Sequence, residues 1–484
     1  MPFLPVLLWS DLLIWLLLAA GGLLAWGIAR NPPLRSAWVR VGQSRAGMAS
    51  ATVLLVFILV GLLDSVHYRP RLESKADKPG VVAPGNGQAA AYGVEVLSLL
   101  DSALTSLRTR NEKTYSEPLA TRAYGKEMLE QKGTDGVVRQ VQDFPRLKFG
   151  GSHLGDQEGG RDADVTRRLL AALGLAVLAW WAVAAAIAAA LARSTGSGHR
   201  AAWQRLWGGG TGERGFAWDA VLVTLAGLFL AVAPLLALAP EYHVFGTDKV
   251  GQDVLYQVLK SIRTALIIGL VTTLVMLPFA VLLGIAAGYF RGWVDDLIQY
   301  GYTTLNSIPG VLLIAAAVLM MQVVIDTHPQ WFATAAERAD LRLLALCFIL
   351  GMTSWTGLAR LLRGETLKLA QLEYIQAAQA FGVSGLRIIL RHILPNVMHI
   401  VLISLVMDFS GLVLAEAVLS YVGIGVDPTM ISFGTMINNA RLELAREPMV
   451  WWSLAAAFVF MVVLVLAANL FADAVRDAFD PRAV

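Results

Sequence analysis

Apolar residues run through this chain in long blocks, and the blocks are too long for strands and too unbroken for helices with one wet face. Nine of them stand out: Phe3–Ile28, Ala46–Val66, Arg168–Ala192, Trp218–Ala239, Ile262–Phe290, Gly301–Ile325, Leu341–Ala359, Asn396–Ser420 and Val450–Phe471. Each is close to the roughly 20 residues that a helix needs to cross the hydrocarbon of a bilayer. Only helices and closed barrels satisfy their own backbone there, so the pattern predicts an all-α, polytopic helical membrane protein with about nine transmembrane helices. The first block lacks a basic start and runs too long for a cleaved signal peptide.

The polar intervals orient the blocks. Arg30, Arg35, Arg40 and Arg45 follow the first; Arg193, Arg200, Arg205 and Arg214 follow the third. Arg360, Arg363, Lys368, Arg387 and Arg391 follow the seventh. With nine spans all three intervals fall on one side, which the positive-inside rule makes the cytoplasm. The N-terminus is then outside and the C-terminus inside. The organisation expected is two spans in 1–66, an extracytoplasmic segment in 67–167, a third span with a basic loop in 168–217, and six spans in 218–484.

The outer segment is the one long polar interval. Arg69 to Gln88 is rich in proline, glycine and charge and reads as a linker. From Val94 to Leu107 apolar residues recur at helical spacing. Beyond that the glycines at 150, 151, 155, 159 and 160 suggest irregular structure. The segment holds too little apolar material for a core of its own and is expected to pack on the membrane domain or a partner. No internal repeat is evident.

Composition narrows the class further. The chain has 484 residues, 56% hydrophobic and 15% charged, with a mean hydropathy of +0.59, against roughly 25% charged in soluble proteins. A net charge of +3 gives no reason to expect a nucleic-acid partner. The single cysteine, Cys347, lies in an apolar block and reads as packing. The seven histidines form no pair at metal-ligand spacing. No Gly-x4-Gly-Lys-Ser/Thr phosphate loop is present, so no ATP site of that type is expected. No nucleophile–base set or cofactor site can be assembled either.

The most informative polar stretch is Glu373 to Asn396, EYIQAAQAFGVSGLRIILRHILPN. It is amphipathic and basic, and it reads as two short helices joined at Gly382 and stopped at Pro395. Glycine permits a bend there that a side chain resists. Proline cannot continue a helix running into it, though it suits the first turn of the next. Taken alone, the stretch is an interfacial helix with a break. Its spacing suggests more: Ala377 and Ala378, three residues, Gly382, then Leu394-Pro395 twelve residues on.

With that spacing the stretch resembles the cytoplasmic EAA coupling loop of bacterial ABC-importer permeases, in the dipeptide and oligopeptide permease family. The resemblance implies a loop that docks on a separate ATPase subunit through Ala377, Ala378, Gly382, Leu394 and Pro395. Gln376 stands where the pattern has glutamate and His392 where it has isoleucine, so Glu373 becomes the candidate acidic group. Four further blocks resemble the same family in the same order. They are Phe245–Leu266, with Gln252 in place of an arginine; Gly288–Leu313; Ala415–Pro428; and the tail Ala472–Arg482. Bare residue chemistry makes Asp253 a cap for a helix starting at Val254, and Gly292 and Asp295 the residues of a tight turn.

The resemblance covers Trp218 to Val484 and implies a six-helix type I ABC-importer core, with the first three spans as an extension. It implies a channel subunit of the bacterial inner membrane with no catalytic residues, metal or cofactor of its own. ATP and magnesium would sit on two partner ATPase subunits. A homologous second permease, an extracytoplasmic substrate-binding protein and membrane lipid complete the expected partners, with peptides or peptide-like molecules as cargo. Asp408 and Glu416 lie two turns apart on the eighth span, where charge is costly. They read equally as a polar wall of the translocation path or as a buried hydrogen-bonded pair. Asp11 in the first span reads as a packing or interfacial residue. An ion-driven secondary transporter would need buried charges and inverted repeats; a scaffold acting through the outer segment is the other alternative.

Overall fold

A computed structural model describes residues 3–71, 92–132, 138–155, 158–196, 198–207, 216–332 and 334–479. Most of the expected linker, Arg214 and the last residues of the Ala472–Arg482 block lie outside these.

The chain begins with β1 (Phe3–Val6), α1 (Trp9–Arg30), α2 (Pro32–Gln43) and α3 (Arg45–Asp64). The outer segment follows as β2 (His67–Pro70), β3 (Leu97–Ser98), α4 (Leu99–Ala103), α5 (Thr105–Thr109), β4 (Glu127–Lys132) and β5 (Val138–Asp143). Then come α6 (Arg161–Thr195), α7 (His199–Trp207), α8 (Trp218–Leu238), α9 (Val254–Phe290), α10 (Gly292–Ser307) and α11 (Gly310–Thr327). The rest is α12 (Ala335–Ser354), α13 (Thr356–Leu369), α14 (Glu373–Ala380), α15 (Gly385–Ile388), α16 (Leu394–Val422), α17 (Phe433–Glu443) and α18 (Trp452–Phe479).

Among the described residues nine helical runs are long and apolar enough to span a bilayer: α1, α3, α6, α8, α9, α11, α12–α13, α15–α16 and α18. Their number and order match the nine apolar blocks. The exposed leucines on their flanks, such as Leu178, Leu236 and Leu282, are what a helix facing lipid presents.

Three local expectations need correction. The block Gly301–Ile325 is not one helix: Ile308 is extended and Pro309 opens α11 afresh, because the residue before a proline is driven out of helical geometry. The Val94–Leu107 stripe is not one helix either. Val94 is exposed, Leu97–Ser98 pair with β2, and helix starts only at Leu99, where Ser98 and Asp101 cap each other. The later outer segment is not simply irregular, since β4 and β5 form an antiparallel ladder from Glu127↔Asp143 to Lys132↔Val138.

α9 is the axis of the fold. Val258, Ile262, Ala265 and Leu266 on it form one core with Phe57 of α3, Phe409 and Val413 of α16, and Ala457, Leu464 and Ala468 of α18. A second core, at the end expected from the charge pattern to face inward and therefore called the inner end, joins Met276, Ala280 and Ile285 of α9 to Trp355, Leu358 and Leu362. Close approach there requires glycine: a Cβ on Gly284 would stand 2.7 Å from the Ala359 carbonyl oxygen, and one on Gly288 would stand 2.6 Å from Thr366 Cβ.

The extension is fastened to this axis at the outer end. β1, β2 and β3 form one small antiparallel sheet, which brings the start of α1 beside the outer segment. There Arg263 of α9 donates to Asp11 at 2.6 Å and to Ser10 Oγ at 2.8 Å. His67 bonds Asp11 at 2.7 Å, and Ser10 in turn bonds Asp340 of α12. Lys260 reaches Asp64 at 2.6 Å and Asp101 at 3.1 Å. Asp11 is thus a packing residue, and its role is to neutralise a buried arginine.

Candidate functional site

The Glu373–Asn396 segment sits at the inner end, clamped to the second core. Ile375 of α14, Ile388 of α15 and Ile393 are each 0% exposed and pack among Trp355, Leu358, Leu362 and Tyr302. Around these anchors the helices break for identifiable reasons. α14 ends in a Schellman motif: Val383 N–H bonds the Ala378 carbonyl at 3.1 Å, and Gly382 N–H bonds the Gln379 carbonyl at 3.0 Å. Gly382 has φ +74°, and an added Cβ there would meet nothing within 4 Å. Backbone conformation alone therefore demands the glycine.

The expectation that Pro395 stops the segment is corrected. α15 passes through a π-helical turn, Ile389–Ile393, directly into α16, with Leu394 N–H bonding the Ile389 carbonyl. The wider turn takes in the missing proline N–H without ending the helix. Asn396 Nδ2 donates to the His392 carbonyl at 2.6 Å and to Tyr374 Oη at 3.1 Å, tying the turn back to α14.

The predicted residues divide by exposure. Glu373, Ala377, Gly382 and Pro395 are exposed, whereas Ala378 and Leu394 turn half-buried toward the inner core. Of the alanine pair, Ala377 is the more exposed. Glu373 makes no hydrogen bond or ion pair among the described residues. The surface has apolar members that spacing did not single out: Phe381 is 87% exposed, Leu386 67% and Leu390 56%. The cue available in the sequence was their position next to the glycine break, out of phase with Ile375 and Ile388.

The neighbouring block Gly288–Leu313 supports this segment rather than forming a simple turn. Gly292 starts α10 and Asp295 lies inside it, nearly buried. Arg363 of α13 grips Asp295 with both arms at 2.6 Å, and this bidentate bond holds the aspartate below the ordinary carboxylate range. α10 and α13 are thereby locked beside the segment. Gln379 reaches Tyr289 at the end of α9 at 3.4 Å.

Asp408 and Glu416 are not paired. Glu416 is 2% exposed and accepts from Ser420 Oγ at 2.6 Å and Ser432 Oγ at 3.0 Å, locking α17 against α16. Asp408 is partly exposed and has no such partner among the described residues.

At the outer end, block Phe245–Leu266 meets the extension. Asp253 caps α9, accepting from Leu255 N–H at 2.9 Å, as its sequence position predicts. It also bonds His243 Nδ1 at 2.8 Å, while His243 Nε2 lies 3.3 Å from Glu112 of the outer segment. Burial opposes a charged His243 ring, but bonds to Asp253 and Glu112 outweigh it and raise the ring to about 9. Burial likewise opposes a charged Glu112, yet bonds from His243 and from the backbone N–H groups of Phe149, Lys148 and Gly150 lower it to about 2. The chains approach so closely that a Cβ on Gly251 would fall 1.9 Å from the Glu112 carbonyl oxygen.

Residues 280–484 match the family described as "Binding-protein-dependent transport system inner membrane component". The oligopeptide transport system permease protein OppC of Mycobacterium tuberculosis is 32% identical over 239 residues, 49% of this chain and 76% of that protein. The chain belongs to this family of transport-system inner membrane components. The glutathione transport system permease protein GsiD of Pectobacterium atrosepticum is 33% identical over 242 residues, 50% of this chain and 73% of its own length. The dipeptide transport system permease protein DppC of Lactococcus lactis is 30% identical over 243 residues, 50% of this chain and 65% of that protein. A chain of the inward-facing MetNI methionine ABC transporter aligns over 47% of this chain and 98% of its own at 15% identity, with a TM-score of 0.36, a likeness too slight to carry an argument. The family places the chain as a multi-pass inner-membrane permease subunit of an ABC importer. About half of its length, mainly the extension, lies outside these matches.

Proposed function

We propose that this permease subunit admits peptides or peptide-like molecules and is driven through its Glu373–Pro395 segment by separate ATPase subunits. The peptide class rests on the names of the relatives above. The coupling role rests on one observation: an exposed apolar crown of Phe381, Leu386 and Leu390 is carried on fully buried isoleucines. A crown on such anchors passes a push into α13 and α16 instead of yielding locally. The complex would contain a second, related permease, two ATPase subunits holding ATP and magnesium, and an extracytoplasmic binding protein. The positive-inside rule, applied to the basic loops, supports a cytoplasmic position for this end and an N-terminus outside. ATP-driven closure of the ATPases would then bias a two-state membrane domain. In this reading Glu373, Ala377, Gly382 and Pro395 meet the ATPase, Ala378 and Leu394 seat the segment, and Asp408, unpaired and partly exposed, is the better candidate than Glu416 for the path.

The test is uptake of labelled di- and oligopeptides by membranes carrying the whole complex, alongside co-purification of the ATPases. Phe381→Asp should abolish both ATPase retention and uptake while the chain remains in the membrane. Retention and uptake at normal levels would sink the coupling role. Uptake that no peptide competes for would sink the peptide class alone.

A further inference from the structure

We propose that the elbow between α1 and α2 is a binding site for the phosphate headgroup of an anionic phospholipid. α2 is a short amphipathic helix between two membrane spans, and its two faces do different work. Trp38 and Val41 pack on Phe471, Val475, Ala478 and Phe479 at the end of α18. That contact fixes α2 at the depth where a span ends. Its other face presents Arg35, Ser36, Val39, Arg40 and Gln43, at positions i, i+1, i+4, i+5 and i+8, which form one stripe on a helix.

This stripe and the end of α1 enclose an open hollow of about 820 Å³. Arg30 forms the opposite wall, its guanidinium 3.5 Å from the Trp26 ring centroid. A tryptophan–arginine pair at the end of a span is an anchor at headgroup level. Three arginines therefore line one hollow, and none of the three makes an ion pair among the described residues. Arg45, the next basic residue, shows the contrast: it is bonded to Asp219 at 2.7 Å. One shielded donor of the stripe, Arg40 Nε, also lacks an acceptor among the described residues.

Three arginines and no carboxylate line the hollow, which calls for an anion with multiple oxygens. A phosphodiester supplies these, and planar guanidinium forks match it. The leaflet in which the hollow opens holds such groups at high local concentration, each basic residue adding to the attraction. Acyl chains would then lie along the exposed apolar flank of α1, where Leu16 and Leu23 face outward.

Native mass spectrometry of the full chain, released from phosphatidylglycerol or phosphatidylcholine nanodiscs, tests this. Wild type should retain phosphatidylglycerol and not phosphatidylcholine. A triple variant, Arg30→Gln with Arg35→Gln and Arg40→Gln, should lower that retention on the order of tenfold or more. The same three changes at Arg193, Arg200 and Arg205 serve as the charge control and should leave it near wild type. Val39→Glu, which sets a carboxylate one turn from Arg35, should reproduce the loss with every arginine in place. Equal retention by the triple variant and the control overturns the proposal. So does equal binding of phosphatidylcholine, or displacement of the lipid by millimolar inorganic phosphate, which would mark a site for the free ion.

Discussion

The two ends of this molecule solve opposite problems. The outer end buries its charge and satisfies it internally: Asp11, Asp64, Asp101, Glu112, Asp253 and Asp340 all lie at or below 8% exposure, and five of them meet Arg263, Lys260 or His243 directly. The inner end around Gly382 does the reverse. It buries three isoleucines and leaves Phe381, Leu386 and Leu390 in the open. An end whose buried carboxylates are matched within the chain needs no further partner to balance their charge. An end that exposes apolar side chains on a rigid mount is unfinished without one.

The extension explains the difference. Six members of the outer network come from the extension: Ser10, Asp11, Asp64, His67, Asp101 and Glu112 grip the start of α9 and the block before it. The core beneath Gly382 receives no residue of the extension among the described residues. Arg263→Ala is the largest expected blow to this asymmetry. It strands Asp11 without its arginine, and breaking a buried pair costs roughly 3–5 kcal/mol. Thermal unfolding of the purified chain should show the loss, and the double variant with Asp11→Asn should recover part of it. If the single variant unfolds like wild type, the outer network is not what holds the extension to α9.

Glu112→Ala is the next largest. It leaves the N–H groups of Lys148, Phe149 and Gly150 without their acceptor, a loss of about 1–3 kcal/mol. The same site sets a pH profile. Since His243 is raised to about 9, its contribution is complete below about 6.5 and fades as pH climbs through 9. Since Glu112 is lowered to about 2, its contribution is complete above about 4.5 and fades as pH falls toward 2. Melting temperature should therefore plateau between about pH 4.5 and 6.5 and decline on the alkaline side, and His243→Gln should flatten the alkaline decline. An unchanged alkaline limb in that variant would show that the ring does not carry charge.

The inner end was far more legible in the sequence than the outer. Nine apolar blocks yield nine spans because hydrocarbon thickness dictates a local length, and Gly382 declares a bend because only glycine takes its φ without strain. Long-range ion pairs leave no such local trace. Nothing near Asp11 announces Arg263, 252 positions away, and nothing near Glu112 announces the backbone of 148–150. Errors of boundary came from competition between signals. Pro309 ends α10 inside an apolar block that hydropathy reads as continuous, and Pro395 fails to end a helix because a π-helical turn takes up its missing donor. The Ala377–Ala378 pair looked alike in sequence, yet three-residue spacing from Ile375 turns Ala378 inward and leaves Ala377 outside.

Substitutions in the crown should have the smallest effect on stability and still separate the two ends. Gly382→Val forces a β-branched residue to φ +74°, a strain of roughly 1–2 kcal/mol confined to the Schellman turn, and Gly382→Asn should cost less because asparagine tolerates that region. Phe381→Ser should shift melting by almost nothing, within about 0.5 kcal/mol, because the ring is 87% exposed. Its effect belongs to assembly: ATPase subunits should be lost from the purified complex although the permease itself melts normally. A destabilised permease with full ATPase retention would invert the comparison, making the crown a part of the fold and leaving the inner end without its docking surface.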